Sequence, residues 1–180
     1  MANRDNILTD TRFLRATTLL RELAQEYKIS PEDILGEIEK RERSIPTSVF
    51  NKKLSPLETV SKFLREDRQL SIKSIAKLTQ RSEKTVWQAL NAAKQKMPEP
   101  LVVDLTKPCF PIPKLQDRSL SILEHIVLYM KDELNLKYSQ IAELLQRDDR
   151  TIWTVYSRAK KKRDEQKPKT KKKPGRRQSR

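Results

Sequence analysis

Tyr138–Arg163, YSQIAELLQRDDRTIWTVYSRAKKKR, is the stretch that decides the fold, because a similar stretch at residues 72–97 precedes it by a constant 66 positions. At that offset, residues 54–96 and 120–162 share 15 identities in 43 positions without a gap. Solenoid proteins repeat in units of about 20 to 50 residues, so this period is too long for a solenoid. Each copy is therefore predicted to be a small domain.

The amino-acid composition favours helices along the whole chain. Glycine occurs only twice in 180 residues, whereas the strong helix formers Leu, Ala, Glu, Lys, Arg and Gln are abundant. We predict an all-α fold in which two tandem three-helix helix-turn-helix domains follow a helical hairpin. The predicted parts are an N-terminal helical hairpin (1–43), helix-turn-helix domain 1 (44–97), a proline-rich linker (98–113), helix-turn-helix domain 2 (114–163) and a disordered basic tail (164–180).

The helices of each copy have recognisable start signals. Ser55 with Glu58, and Ser121 with Glu124, fit a capping box, in which serine and glutamate satisfy each other's free backbone amides. First helices are predicted at 56–67 and 122–134, and second helices at 72–79 and 138–145. Turns are predicted at Gln80-Arg81 and Gln146-Arg147, and Ser82 and Asp148 are the predicted caps of the third helices.

The N-terminal hairpin is predicted from an apolar stripe over residues 10–43. The stripe recurs every three or four positions at Phe13, Thr17, Leu20, Ala24 and Tyr27. Ser30 followed by Pro31 predicts the start of the second helix. We expect the stripe to pack within the chain, and the alternative is the seam of a homodimer.

Five prolines in residues 98–113 exclude a continuous helix there and favour an extended strap, part of which is expected to pack on a domain through its apolar residues. Such a strap reaches roughly 50 Å at about 3.1 Å per residue. Beyond Arg163 the chain has no apolar residue, and we expect it to be disordered in the absence of a polyanion.

Charge predicts the class of partner. The net charge is +15, and residues 158–180 alone contain 13 basic and 2 acidic side chains. Such an excess favours nucleic acid or an anionic membrane surface. No apolar run approaches the roughly 20 residues of a membrane span, and the N-terminus lacks a signal-peptide pattern. We predict a soluble cytoplasmic, nucleoid-associated protein, or a nuclear one if the source is eukaryotic, since KKKPGRR resembles a nuclear localisation signal.

Catalysis is not predicted. The chain has one cysteine, Cys109, and one histidine, His125, and it lacks a glycine-rich phosphate loop and a dense acidic cluster. Nucleophiles, metals and cofactors need such groups in combination. We therefore expect no enzyme activity, no cofactor and no metal. Cys109 is expected to be a linker thiol, and His125 a surface or flanking residue.

The predicted site is the outward face of each third helix. In a helix-turn-helix this helix enters the major groove, where arginine and lysine bind guanine, and asparagine and glutamine bind adenine. Inward faces are predicted at Val86, Ala89, Leu90, Ala93 and at Ile152, Val155, Tyr156, Ala159. The predicted DNA contacts are Lys84, Gln88, Asn91, Gln95, Arg150, Thr151, Thr154, Ser157, Arg158, Lys161, Lys162 and Arg163, with Lys171, Lys172, Lys173, Arg176 and Arg177 in the tail.

Trp87 and Trp153 lie about 100° from the inward face, since each residue of a helix turns by that angle. We expect both to support the core at its edge, and the alternative is that they anchor a partner protein.

The second copy resembles region four of bacterial sigma factors, the C-terminal helix-turn-helix that recognises a promoter element. The resemblance is carried by Leu120, Glu124, Leu136, Tyr138, Ile141-Ala142, Leu144-Leu145, Thr151-Ile152 and Arg158-Ala159-Lys160-Lys161-Lys162, and more weakly by the first copy. It implies that Arg150, Thr151, Thr154, Ser157 and Arg158 face the groove, and that RNA polymerase is a possible partner.

Three functions are compatible with these patterns. The first is a double-stranded-DNA-binding transcription regulator with two sigma-region-four-like modules and a phosphate-binding tail. The second is an architectural, nucleoid-associated protein that bridges DNA with little sequence preference. The third is a protein-binding scaffold that kept the helix-turn-helix fold.

Overall fold

The computed structural model describes residues 7–166, and in this part the chain is mainly α-helical with two strands of three residues each, which confirms the predicted all-α class. The described chain divides into two compact units at Ser44/Ile45. The first contains α1 (Thr11–Tyr27) and α2 (Pro31–Glu42). From Ser44 onward follow β1 (Ser44–Pro46), α3 (Pro56–Glu66), α4 (Ile72–Thr79), α5 (Glu83–Lys96), β2 (Cys109–Pro111), α6 (Ile122–Asp132), α7 (Tyr138–Leu145) and α8 (Asp149–Gln166).

Both helices of the N-terminal hairpin begin after a side-chain cap, and Ser30, the cap of the second helix, was predicted from the sequence. Asp10 accepts a hydrogen bond from the Arg12 amide at 2.8 Å and opens α1, and Ser30 accepts one from the Asp33 amide at 3.1 Å and opens α2. No residue of α1 or α2 is buried. Tyr27, at the end of the apolar stripe, is 64% exposed. The stripe is therefore an apolar surface and not a closed core.

Both capping boxes are present in the second unit. The Ser55 amide donates to the Glu58 carboxylate at 2.9 Å, and the Ser121 amide donates to Glu124 at 2.7 Å. The observed first helices end within two residues of the predicted bounds, and α4 and α7 match their predicted bounds. These helices follow from local sequence alone, because caps and apolar spacing act within a few residues.

The same unusual backbone conformation occurs twice at the 66-residue offset. Gln69 and Asn135 have φ of 53° and 52°, and Gln80 and Gln146 have φ of 52° and 50°. Residues other than glycine rarely adopt this left-handed backbone conformation. Gln80 and Gln146 end α4 and α7 in this way, which produces the turn before each third helix. The sequence repeat is therefore also a repeat of local backbone structure.

One hydrophobic core contains side chains from both copies. Phe63 and Ile75 from the first copy belong to the same cluster as Ile126 and Ile141 from the second. Residues that precede each copy complete it, namely Ile45, Val49, Phe50, Phe110, Ile112 and Leu115. The C-terminal end of the predicted linker is therefore part of the folded unit and not a free spacer. The division into domains at 44–97 and 114–163 stays a prediction.

The segment before each copy packs on the other copy. We call residues 44–49 arm 1 and residues 109–116 arm 2. β1 of arm 1 pairs with β2 of arm 2. The 3-10 turn of arm 1 (Thr47–Val49) contacts α7, and that of arm 2 (Ile112–Gln116) contacts α4. Arm 2 also contacts α6 of its own copy, where the Phe110 ring lies edge-on to Tyr129 at 5.4 Å. The two copies are thus joined by an exchange of arms.

Two sequence-based expectations need correction here. His125 is 7% exposed, and its Nε2 lies 2.7 Å from the carbonyl oxygen of Asp117, so it is neither a surface nor a flanking residue. Burial lowers its pKa because it disfavours the charged imidazolium. In addition, α8 continues to Gln166, three residues past Arg163 and thus into the predicted tail, and residues 167–180 lie outside the described part of the chain.

We predict that a cavity in one copy destabilises both copies. Ile75→Ala removes a fully buried side chain of the shared core and should lower the free energy of unfolding by about 2–5 kcal/mol. Hydrogen exchange should then become faster in α6–α8 as well as in α3–α5. Val102→Ala is the control, since Val102 is 76% exposed and its loss should change stability by less than about 0.5 kcal/mol. Faster exchange in α3–α5 alone would show that the copies unfold independently.

Candidate nucleic-acid interface

The inward faces of α5 and α8 are as predicted. In α5, Val86, Ala89 and Ala93 are buried, and in α8, Ile152 and Ala159 are buried. α5 packs on α3 and α4, and α8 packs on α6 and α7. Each third helix is thus fixed along one side by the two helices that precede it.

The opposite faces carry the predicted DNA contacts. On α5, Lys84, Gln88, Asn91 and Gln95 are all exposed. On α8, Arg150, Thr151, Arg158 and Lys161 are exposed, whereas Thr154 and Ser157 are half-buried. The Thr154 hydroxyl donates to the Arg150 carbonyl oxygen at 2.8 Å, which leaves its oxygen free to accept. Each helix therefore presents a polar face from which side chains reach solvent.

Lys162 has a different environment from its neighbour Lys161. The Lys162 ammonium lies 2.9 Å and 2.8 Å from the two carboxylate oxygens of Glu124, whose side chain is only 7% exposed. Lys96 holds Glu58 in the same way, at 2.8 and 2.9 Å. These two pairs tie the end of each third helix to the start of the first helix. The structure thus gives the Lys162 ammonium a partner within the protein instead of a free, outward position.

The charged neighbours also change the acidity of these two glutamates. Burial by itself raises the pKa of the Glu124 carboxyl, but the Lys162 ammonium and the Ser121 amide outweigh it, so the pKa lies below its ordinary value of 4.5. The pKa of Glu58 is lowered for the same reasons by Lys96 and Ser55. Both carboxylates are therefore ionised whenever the protein is folded near neutral pH.

Two other predicted contacts lie beside acidic side chains. Lys161 is 79% exposed and its ammonium is 4.0 Å from Glu165. The Arg163 guanidinium is 3.8 Å from the Asp132 carboxylate. Exposed pairs at such distances contribute little and are broken at little cost, so both cations remain available to a phosphate. The predicted contacts Lys171, Lys172, Lys173, Arg176 and Arg177 lie outside the described residues.

The expectation that Trp87 and Trp153 support the core is wrong. Their side chains are 55% and 56% exposed. Trp153 lines an open groove together with Tyr138 and Tyr156. The helical angle of about 100° from the inward face was compatible with this outcome, because it places a side chain at the border between core and solvent.

Within residues 7–166, no group of three or more His, Cys, Asp or Glu side chains is arranged to hold a metal ion. In the same part of the chain, no helix has both the length and the apolar character needed to cross a membrane.

A comparison with protein families finds a match to the second copy. Residues 118–162 match the family model described as Sigma-70, region 4. No curated protein and no solved structure matches the chain. The matched residues contain α6, α7 and most of α8. This part of the chain is thus a sigma-region-four-like helix-turn-helix, of a type that binds DNA and functions in transcription.

We predict that the Glu124–Lys162 pair makes stability depend on pH. The folded-state pKa of Glu124 is below 4.5, so its stabilisation is complete above that pH and is lost as the pH falls through the folded-state pKa. Glu124→Gln should therefore lower the free energy of unfolding by about 1 kcal/mol at pH 7. The difference from the parent should disappear in acid.

Urea unfolding between pH 7 and pH 3 measures this difference. Glu165→Gln is the control, since it changes an exposed glutamate that lies near Lys161, the neighbour of Lys162, and its effect should be small at every pH. A Glu124→Gln effect that stays constant down to pH 3 would show that the ion pair contributes nothing.

Proposed function

We propose that this chain is a double-stranded-DNA-binding transcription regulator that recognises bases with α5 and α8 and neutralises phosphates with its basic tail. The observation that carries the proposal is the uncovered polar face of α8, which lies within the segment that matches sigma-70 region 4. The third helix of a helix-turn-helix enters the major groove. The proposal gives α5 the same role on the strength of the 66-residue repeat.

The face of α8 is suited to guanine-containing sites. Arg150 is exposed at the start of the helix, and Arg158 and Lys161 are exposed two or more turns later. An arginine binds the O6 and N7 atoms of guanine with two hydrogen bonds, and side chains at the N-terminal end of a recognition helix contact base edges. In this proposal Arg150 and Thr151 contact bases, Thr154 and Ser157 add hydroxyl contacts, and Arg158 and Lys161 bind the edge of the groove or the flanking phosphates.

The face of α5 has a different chemistry. Gln88, Asn91 and Gln95 are exposed amides spaced at three and four residues, with Lys84 one turn before them. An amide side chain donates to N7 and accepts from N6 of adenine, so it distinguishes adenine from the other bases. The proposal therefore assigns an adenine-containing sequence to α5.

The tail contributes affinity without sequence preference. Residues 167–180 contain eight lysines and arginines and no acidic residue. Each phosphate that these side chains neutralise releases counterions, which strengthens binding to any duplex and makes it more sensitive to salt. Specificity must then come from the helices, because phosphates carry no direct sequence information.

Protein partners are part of the same proposal. Trp87 and Trp153 are more than half exposed, and tryptophans are enriched among the residues that dominate binding at protein interfaces, so they supply a surface for RNA polymerase. The exposed apolar stripe of α1 supports a homodimer through residues 10–43. Both partners are compatible with a protein that acts on DNA in the cytoplasm.

We predict that Arg150→Ala relaxes specificity at one base pair. Loss of a two-hydrogen-bond contact should cost about 1–3 kcal/mol on the preferred duplex and almost nothing on a duplex changed at that base pair. Fluorescence anisotropy with the two duplexes at physiological salt measures the difference. Arg15→Ala is the control because it removes the same charge from an exposed position on α1. An equal loss on both duplexes would place Arg150 on a phosphate, and no loss would exclude it from the interface.

We predict that removal of residues 167–180 weakens binding to all duplexes by the same factor. The plot of log affinity against log salt should become less steep by up to about 0.9 for each phosphate that the tail no longer neutralises. A full-length variant in which the eight basic residues of the tail become glutamine separates charge from chain length. An unchanged slope in both proteins would remove the tail from the interface.

A further inference from the structure

Two hydrogen bonds between the copies are equivalent: one is donated by the first copy to the second, and the other by the second copy to the first. The Arg81 guanidinium donates to the carbonyl oxygen of Leu120 at 2.9 Å, and the Arg147 guanidinium donates to that of Leu54 at 2.8 Å. Arg147 is the counterpart of Arg81 at the 66-residue offset, and Leu120 is the counterpart of Leu54. Each arginine lies in the turn before a third helix, and each leucine precedes a first helix.

The arms repeat this exchange on a larger scale. The 3-10 turn of arm 1 contacts α7, and that of arm 2 contacts α4, the counterpart of α7. Two further contacts join an element to its own counterpart, namely β1 with β2 and α3 with α6. An interface of this kind is isologous and is generated by a two-fold rotation. A head-to-tail arrangement would instead make each contact once and leave its counterpart unused.

We infer that the two copies form a pseudo-two-fold dimer within one chain. Its preferred DNA target then consists of two unlike half-sites in inverted orientation, separated by one fixed spacing. This inference rests on the proposed function, because it requires α5 and α8 to face DNA. Dimeric helix-turn-helix proteins bind half-sites whose symmetry mirrors their own two-fold axis. A two-fold axis between α5 and α8 therefore reverses the second half-site relative to the first.

The shared core fixes the spacing between the half-sites. The arm residues Ile45, Val49, Phe110 and Leu115 are at most 1% exposed, so no flexible linker separates the copies at this interface. Two recognition helices held rigidly bind adjacent turns of the same face of the duplex only if their half-sites are a whole number of helical turns apart, about 10 to 10.5 bp or a multiple. Insertion of half a turn moves one half-site to the opposite face of the DNA.

The pairing of the copies leaves both DNA-facing surfaces open. Gln88 and Asn91 on α5, and Arg150 and Arg158 on α8, are exposed although the copies are packed together. The two surfaces differ, since that of α5 is rich in amides and that of α8 is rich in guanidinium and ammonium groups. The half-sites should therefore differ too, with adenine favoured in the half that α5 binds and guanine in the half that α8 binds.

The test uses the full chain and four labelled duplexes of equal length. The first is the best duplex selected from a random library. In the second, one half-site is reversed in place, and in the third and fourth the spacer is lengthened by 5 bp and by 10 bp. We expect reversal and the 5 bp insertion each to weaken binding at least ten-fold at physiological salt. The 10 bp insertion should weaken binding as well, because the rigid core cannot increase the distance between α5 and α8.

The outcomes separate the two proposals. Equal or tighter binding to the reversed duplex, or equal binding at all spacings, would overturn the pseudo-two-fold inference and leave DNA binding intact. A library that yields a motif with only one half-site would do the same. Orientation is measured with the variant Lys84→Arg/Gln88→Thr/Asn91→Ser/Gln95→Lys, in which the outward face of α5 carries the residues of the α8 face. This variant should select two like half-sites as an inverted repeat, and selection of a direct repeat would overturn the inference. Failure to bind any duplex would overturn the proposed function together with the inference. The double variant Arg81→Ala/Arg147→Ala, checked for native helix content, should show a smaller penalty for the 5 bp insertion than the parent.

Discussion

The exchange of arms between the two copies is the constraint on which the rest of the structure depends. Each copy has about 43 residues, and a domain of that size rarely buries enough apolar surface to be stable alone. Phe110 and Leu115 belong to arm 2, which precedes the second copy and contacts the first copy as well as its own. Ile45 and Val49 belong to arm 1, which precedes the first copy and contacts the second. Each copy thus receives part of its core from a segment attached to the other.

This coupling positions the third helices in two steps. Within each copy, a buried glutamate of the capping box accepts hydrogen bonds from a lysine at the end of the third helix. This pair ties α5 to α3 and α8 to α6. Between the copies, Arg81 and Arg147 fix the turn at the start of each third helix to the opposite copy. Both ends of each third helix are therefore held from one side. The side that remains open is the one with residue types suited to base contacts.

The local parts of this architecture could be predicted from the sequence, and the long-range parts could not. Ser55 and Ser121 predicted the helix starts, because a cap depends on residues three positions away. Nothing in the spacing of Ile45-Pro46 or Ile112-Pro113 indicates which copy an arm will contact, since either choice buries the same side chains. The reciprocal bonds of Arg81 and Arg147 were missed for the same reason, although their repetition at a constant offset was a visible clue. The environment of Lys162 could not be predicted for a similar reason. Lys162 and Lys161 are adjacent and identical in type, and only the position of Glu124 on another helix gives Lys162 a buried partner, whereas Lys161 lies 4.0 Å from the exposed Glu165.

The most direct test of the central claim is selection from a random duplex library with a chain that ends at Gln166, at physiological salt. This chain keeps α5 and α8 and lacks residues 167–180, to which we assign the binding that does not depend on sequence. We expect enrichment of a two-part motif with a fixed spacing between its parts. Binding without enrichment of any motif would contradict this expectation and would favour an architectural DNA-binding protein, and the absence of binding would show that the outward faces of α5 and α8 contact protein instead of DNA.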